Sequence, residues 1–130
     1  MTGETCNNNH STQILAYLGD AVFELCVREW LINNHNVNVR EYNRQAKKFV
    51  SAGAQAVMYH GIYDLLPEDE QDMLRRGRNL NTGSRAKNAD MSDYRHATGL
   101  ETLFGNLFAT GRQDRIKEVF DLCVNLIKKQ

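Results

Sequence analysis

The chain has 130 residues, with 16 Lys and Arg against 16 Asp and Glu, and so carries no net charge at pH 7. That length suits one domain burying about two-thirds of the surface its unfolded chain exposes. Zero net charge excludes a general polycationic nucleic-acid coat, and 42% hydrophobic with 25% charged residues is the make-up of a soluble globular protein.

One proline and no run of strict apolar–polar alternation predict an all-α domain. Residues 1–10, polar and rich in Asn and Thr, are expected to be loose, leaving 11–130 as the single domain. Ser11 suits the cap of a helix running to about Ile32 and ended by Asn33-Asn34. Its Ile14, Leu15, Leu18, Val22, Leu25, Cys26 and Val27 cover most of the circumference, which predicts the central helix of the fold. The remaining row, Gln13, Ala16, Asp20, Glu24 and Arg28, forms one polar stripe.

A second helix is expected over about 40–50, and a third from Ala52 to His60, stopped by Gly61. Pro67 followed by Glu68, Asp69 and Glu70 is a strong helix start, because proline fits the first turn and acids complement the helix dipole. That helix should reach Arg76, with Gly77 near its end. Residues 79–90 are polar and lack apolar periodicity beyond Leu80, so they read as the main exposed loop. Ser92 or Asp93 should cap the next helix, which runs to about Thr110 and buries Ala97, Leu100, Leu103, Phe104, Leu107 and Phe108. Gly111 ends it. The last helix, about 112–128, places Ile116, Val119, Phe120, Cys123, Val124 and Ile127 on one face.

The longest apolar region, 14–32, contains Asp20, Glu24, Arg28 and Glu29, too many charges for a membrane span. No basic stretch leads into an apolar core at the amino terminus, so no secretory signal is expected. Cys6, Cys26 and Cys123 are odd in number and lack a short paired spacing. Cys26 and Cys123 lie in apolar stretches and read as free buried thiols, which fits a reducing, cytoplasmic setting.

Charge is distributed unevenly despite the neutral total. Residues 64–72 hold five acids and no base, and residues 73–89 hold five bases and no acid. Two readings stand side by side: ordinary helix-end chemistry, or a local patch for phosphates. The histidines, His10, His35, His60 and His96, lack a metal-ligand spacing. His96, beside Arg95 and near Glu101 in sequence, is the one worth testing, although nothing pairs it with a nucleophile.

Two distant blocks are the most informative: Ala16-Tyr17-Leu18-Gly19-Asp20-Ala21-Val22-Phe23-Glu24 and Arg95-His96-Ala97-Thr98-Gly99-Leu100-Glu101-Thr102-Leu103-Phe104-Gly105. Each is a mostly apolar helical stretch carrying glycine and an acid. Taken singly, Asp20 and Glu101 fit solvated acids on a less apolar stripe. If the helices cross at their glycines, the two carboxylates would face one another. Periodicity alone does not show that they do.

Together these blocks resemble the ribonuclease III catalytic domain, and most of all its short branch, Mini-ribonuclease III, in which that domain stands alone. Further matches to that branch are Ser51-Ala52 with Gln55-Ala56, Arg75-Arg76-Gly77-Arg78-Asn79, and Tyr94-Arg95-His96-Ala97-Thr98-Gly99. The resemblance runs from about Ile14 to Arg115. It implies an all-α ribonuclease III-like helical bundle whose Asp20 and Glu101 are catalytic and bind Mg²⁺, with Glu24 as an outer-shell acceptor. The larger enzymes also carry acids four residues before the aspartate and three before the glutamate, where this chain has Ala16 and Thr98. The implied reaction is hydrolysis of double-stranded RNA to 5′-phosphate and 3′-hydroxyl ends, serving 23S ribosomal RNA precursor maturation. Arg75, Arg76, Arg78, Arg85 and Lys87 would bind the RNA backbone, which is read mainly by shape, and the active form would be a homodimer. Two other readings stay open: a degenerate ribonuclease III fold that binds RNA or ribosomal particles without cutting, and a plain helical dimerisation module.

Overall fold

Ser11 opens the first helix as its position predicts, its hydroxyl accepting from the Ile14 amide at 3.2 Å. The structure is a computed structural model that describes residues 10–80 and 90–128. Six helices follow in order among these residues, with no strand: α1 (Thr12–Asn34), α2 (Val39–Val50), α3 (Ala52–Tyr63), α4 (Glu68–Arg78), α5 (Met91–Ala109) and α6 (Gln113–Lys128). The predicted all-α class is the observed one. Asn38 caps α2, and Ser51 both ends α2 and caps α3. Gly111 closes α5 with φ +76°, a backbone region open to glycine at little cost. None of these helices is long and apolar enough to cross a membrane.

One expected helix stop, Gly61, is not a stop. α3 runs through Gly61 because that glycine makes room for α6: a Cβ there would lie 2.4 Å from the Leu126 side chain. α4 ends at Arg78, so Gly77 stands near its end as expected, buried against Thr102 and Gly99 of α5. At the start of α5 the helix begins at Met91, ahead of the expected caps Ser92 and Asp93.

The central helix is α5, not α1 as the apolar circumference of α1 suggested. α1, α3, α4 and α6 all pack against α5. Its Leu100, Leu103, Phe104 and Leu107 are fully buried. Thr98 and Thr102 are buried as well, their hydroxyls donating to the carbonyls of Tyr94 and Thr98 at 3.0 and 2.8 Å. Phe108, expected in the core, is exposed. On α1 the apolar residues point two ways. Leu15, Phe23, Val27 and Leu31 enter the core, whereas Ile14, Tyr17, Leu25 and Ile32 stand exposed. One hydrophobic cluster draws on all six helices, with Phe23 edge-on to both Phe104 and Phe120 at 5.3 and 5.8 Å.

Glu70 has a role that its place in a first turn of acids did not suggest. Its carboxylate is 1% exposed and takes two bonds from the Arg115 guanidinium at 2.8 Å each, with Arg112 at 3.4 Å. This ties α4 to α6. The thiols of Cys26 and Cys123 are free, and burial pushes Cys26 up to about 11. Cys6 lies outside the described residues.

Candidate active site

α1 and α5 meet backbone to backbone. A Cβ on Gly19 would fall 1.6 Å from the Glu101 carbonyl oxygen, and one on Gly105 would fall 1.9 Å from the Leu15 carbonyl oxygen. Only hydrogen in place of a side chain permits that approach. The helices do cross at their glycines, and Asp20, an exposed residue that follows Gly19, comes close enough for its charge to act on the Glu101 carboxyl. Burial raises the pKa of Glu101 first, the charge of Asp20 adds to it, and the hydrogen bond from Gln55 opposes both, leaving the carboxyl at about 7.

A half-buried carboxyl pressed by a like charge is relieved by a cation. Two oxygen donors of this kind suit a hard divalent ion that keeps several waters. The ligand set ends there. No group of three or more His, Cys, Asp or Glu forms a metal cluster among the described residues. Ala16 is buried on α1, and the Thr98 hydroxyl is spent on the Tyr94 carbonyl, so neither position adds a ligand. An open cleft of about 340 Å³ adjoins Asp20, lined by Tyr17, Leu18, Ala21 and Glu24.

Glu24 stands one turn beyond Asp20, where its carboxylate is held by Arg28 at 2.7 Å in an exposed pair. Gln55 enters the site from the first turn of α3. It is 3% exposed and donates through Nε2 to Oε2 of Glu101 at 3.3 Å and to the Val50 carbonyl at 3.1 Å. In the sequence Gln55 stands only as part of the Ser51-Ala52 and Gln55-Ala56 pattern, with no task attached. A signal existed: Ala52, Gln55, Ala56 and Tyr59 share one stripe of α3, so the glutamine stands on the helix's inward face.

The arginines divide. Arg75 donates to the Tyr63 hydroxyl and to Glu68 at 2.9 Å, and Arg76 pairs with Asp72 at 3.0 Å. The acid and base runs thus partly neutralise each other along α4. Arg78 instead donates to the Asn79 side chain at 3.1 Å and lines a cleft of about 420 Å³ with Met91, Ser92, Arg95 and His96. Arg85 and Lys87, with most of the expected loop, lie outside the described residues. His96 belongs to a ring cluster. It packs against Tyr59 and His60 at 4.6 and 4.4 Å, and its Nδ1 meets the Ser92 carbonyl at 2.7 Å.

Residues 13–112 match the family model described as the Ribonuclease III domain. The chain belongs to the ribonuclease III domain family. Within it, the chain is similar to a Mini-ribonuclease 3 of Brevibacillus brevis, 45% identical over 82% of this chain and 79% of that one. A Mini-ribonuclease 3 of a Thermoanaerobacter species is 39% identical over 92% of this chain and 84% of that one. A crystal structure of a Fusobacterium nucleatum protein shares the fold at 27% identity and a TM-score of 0.77, covering 90% of this chain and 93% of that one. The ribonuclease III chain described here is therefore an endoribonuclease of the Mini-ribonuclease 3 branch.

Proposed function

We propose that this endoribonuclease cuts double-stranded RNA with Mg²⁺ held by Asp20 and Glu101. The observation that carries the reading is the glycine crossing of α1 and α5, which brings the charge of Asp20 to bear on the Glu101 carboxyl. Magnesium bound there supplies Lewis acidity for activating water and neutralises charge gathering on the phosphoryl oxygens. Asp20 and Glu101 place that charge, and with few protein ligands the RNA phosphate itself completes the site. The products are 5′-phosphate and 3′-hydroxyl ends. Glu24 serves as an outer acceptor only by sharing its carboxylate with Arg28.

The working form is a homodimer. Ile14, Tyr17, Leu25 and Ile32 form an exposed apolar row along α1 next to the Asp20 cleft, with Tyr17 84% and Leu25 67% exposed. An apolar row of this kind supports self-association, and a stable pairing buries on the order of 1,200–2,000 Å². Two-fold symmetry then sets one site against each strand of a duplex. Arg78, Arg85 and Lys87 contact backbone phosphates. Arg75 and Arg76 join them only by exchanging their carboxylate partners. Resemblance to the Mini-ribonuclease III branch supports 23S ribosomal RNA precursor as the substrate and the cytoplasm as the place.

Labelled duplex RNA incubated with the protein, with and without magnesium, tests this. Magnesium-dependent cutting to 5′-phosphate ends is the expected result. Binding without cutting at any magnesium concentration would overturn it.

A further inference from the structure

We propose that Gln55 is the positioning residue for Glu101, its amide N–H holding one carboxylate oxygen so that the group meets the metal in a fixed orientation. The inference rests on the proposed metal-dependent reading of Asp20 and Glu101. Nε2 of Gln55 bridges two pure acceptors, the Val50 carbonyl and the Glu101 carboxylate. That settles which end of the amide faces α5, because a flipped amide would set oxygen against oxygen twice. The Val50 carbonyl lies in the last turn of α2, where helix carbonyls lack intrahelical partners. Gln55 is thus anchored at the α2–α3 corner before it reaches across to α5.

Its other end carries the argument further. Oε1 of Gln55 is buried without a hydrogen-bond partner. An orphaned buried acceptor is costly, and an unbranched apolar side chain at 55 would avoid it. Fold stability alone does not ask for glutamine on the inward stripe of α3. Orientation of Glu101 does. Among the described residues Gln55 is the one side-chain donor to that carboxylate, and Thr98, one turn earlier on α5, spends its hydroxyl on the Tyr94 carbonyl. A site built on two carboxylates loses more from a wandering ligand than one built on four.

The test compares wild type with Gln55→Met, which keeps the volume and loses the donor, and Gln55→Asn, which keeps the amide and falls one methylene short. Mn²⁺ binding to the RNA-free protein, followed by electron paramagnetic resonance, is read beside the magnesium concentration for half-maximal duplex cleavage. KM for RNA at saturating magnesium and the thermal midpoint complete the set. Both metal readouts should weaken by roughly tenfold or more, with KM within about twofold of wild type and the fold intact. Unchanged metal dependence in a folded variant overturns the role of Gln55 while leaving the proposed function standing. Should Gln55→Met fail to fold, Gln55→Asn carries the comparison, and unfolding of both assigns Gln55 to packing and overturns the proposal. A wild-type protein that does not cut duplex RNA with magnesium refutes the function itself, and the role of Gln55 with it.

Discussion

Gly19 and Gly105 face each other across the crossing of α1 and α5, so closely that a Cβ on Gly105 would stand 3.0 Å from the Gly19 nitrogen. What a side chain would strike there is backbone, the Leu15 and Glu101 carbonyls, which no rotamer change can move aside. Gly105→Ala should therefore cost about 3 kcal/mol or more, at the upper end of overpacking penalties. Urea denaturation reads that loss. Cleavage should fall further than the fraction unfolded, because a widened crossing separates Asp20 from Glu101.

The raised Glu101 carboxyl makes stability depend on pH in an unusual direction. A folded pKa of about 7 against an ordinary value of 4.5 means that the folded state holds the proton more tightly. Stability of the metal-free protein is accordingly highest below pH 4.5 as far as this group is concerned, and is lost as pH rises towards 7. The loss is on the order of 3 kcal/mol. Glu101→Gln should flatten that segment of a stability–pH curve measured without divalent ions. Cleavage by wild type should rise towards pH 7, with the rise moving to lower pH as magnesium is increased, because the metal competes with the proton.

The exposed row on α1 predicts the effect of a single charge. Leu25→Glu should yield a folded monomer in sedimentation at micromolar concentration and lose most duplex cleavage. A Leu25→Glu variant that remains dimeric would place the interface elsewhere.

Glu70 is a structural counterpart to the site. Glu70→Ala removes a buried carboxylate and its charged hydrogen bonds while Arg115 keeps Glu118 and part of its hydration, so the fold should lose about 1–3 kcal/mol. The magnesium concentration for half-maximal cleavage should stay put in whatever fraction remains folded, since Glu70 ties α4 to α6.

The parts of this molecule that could be read from its residues were those with a local cause. Ser11 and Gly111 act on their own neighbours, and they bound helices where they stand. The glycine–acid blocks stood out as a pair, but each acid singly fits a solvated stripe, and it was the resemblance to the ribonuclease III domain that joined Asp20 to Glu101. Glu70 and Gln55 were opaque for the opposite reason. Each looks ordinary on its own helix, and each finds its partner 45 or 46 residues away. The apolar circumference of α1 misplaced the centre of the fold because periodicity reports which positions want cover, without reporting whether this chain supplies it. Gly61 misled in the same way: its task is contact with α6, which no local pattern records.

The central claim is that Asp20 and Glu101 form one metal-binding carboxylate pair. Asp20→Asn and Glu101→Gln keep shape and remove charge, so the most direct measurement is cleavage of a labelled duplex RNA by each, at limiting magnesium, beside wild type. Each variant should lose several orders of magnitude in rate while keeping its thermal midpoint and its oligomeric state. Near-normal cleavage by either folded variant would contradict the pair.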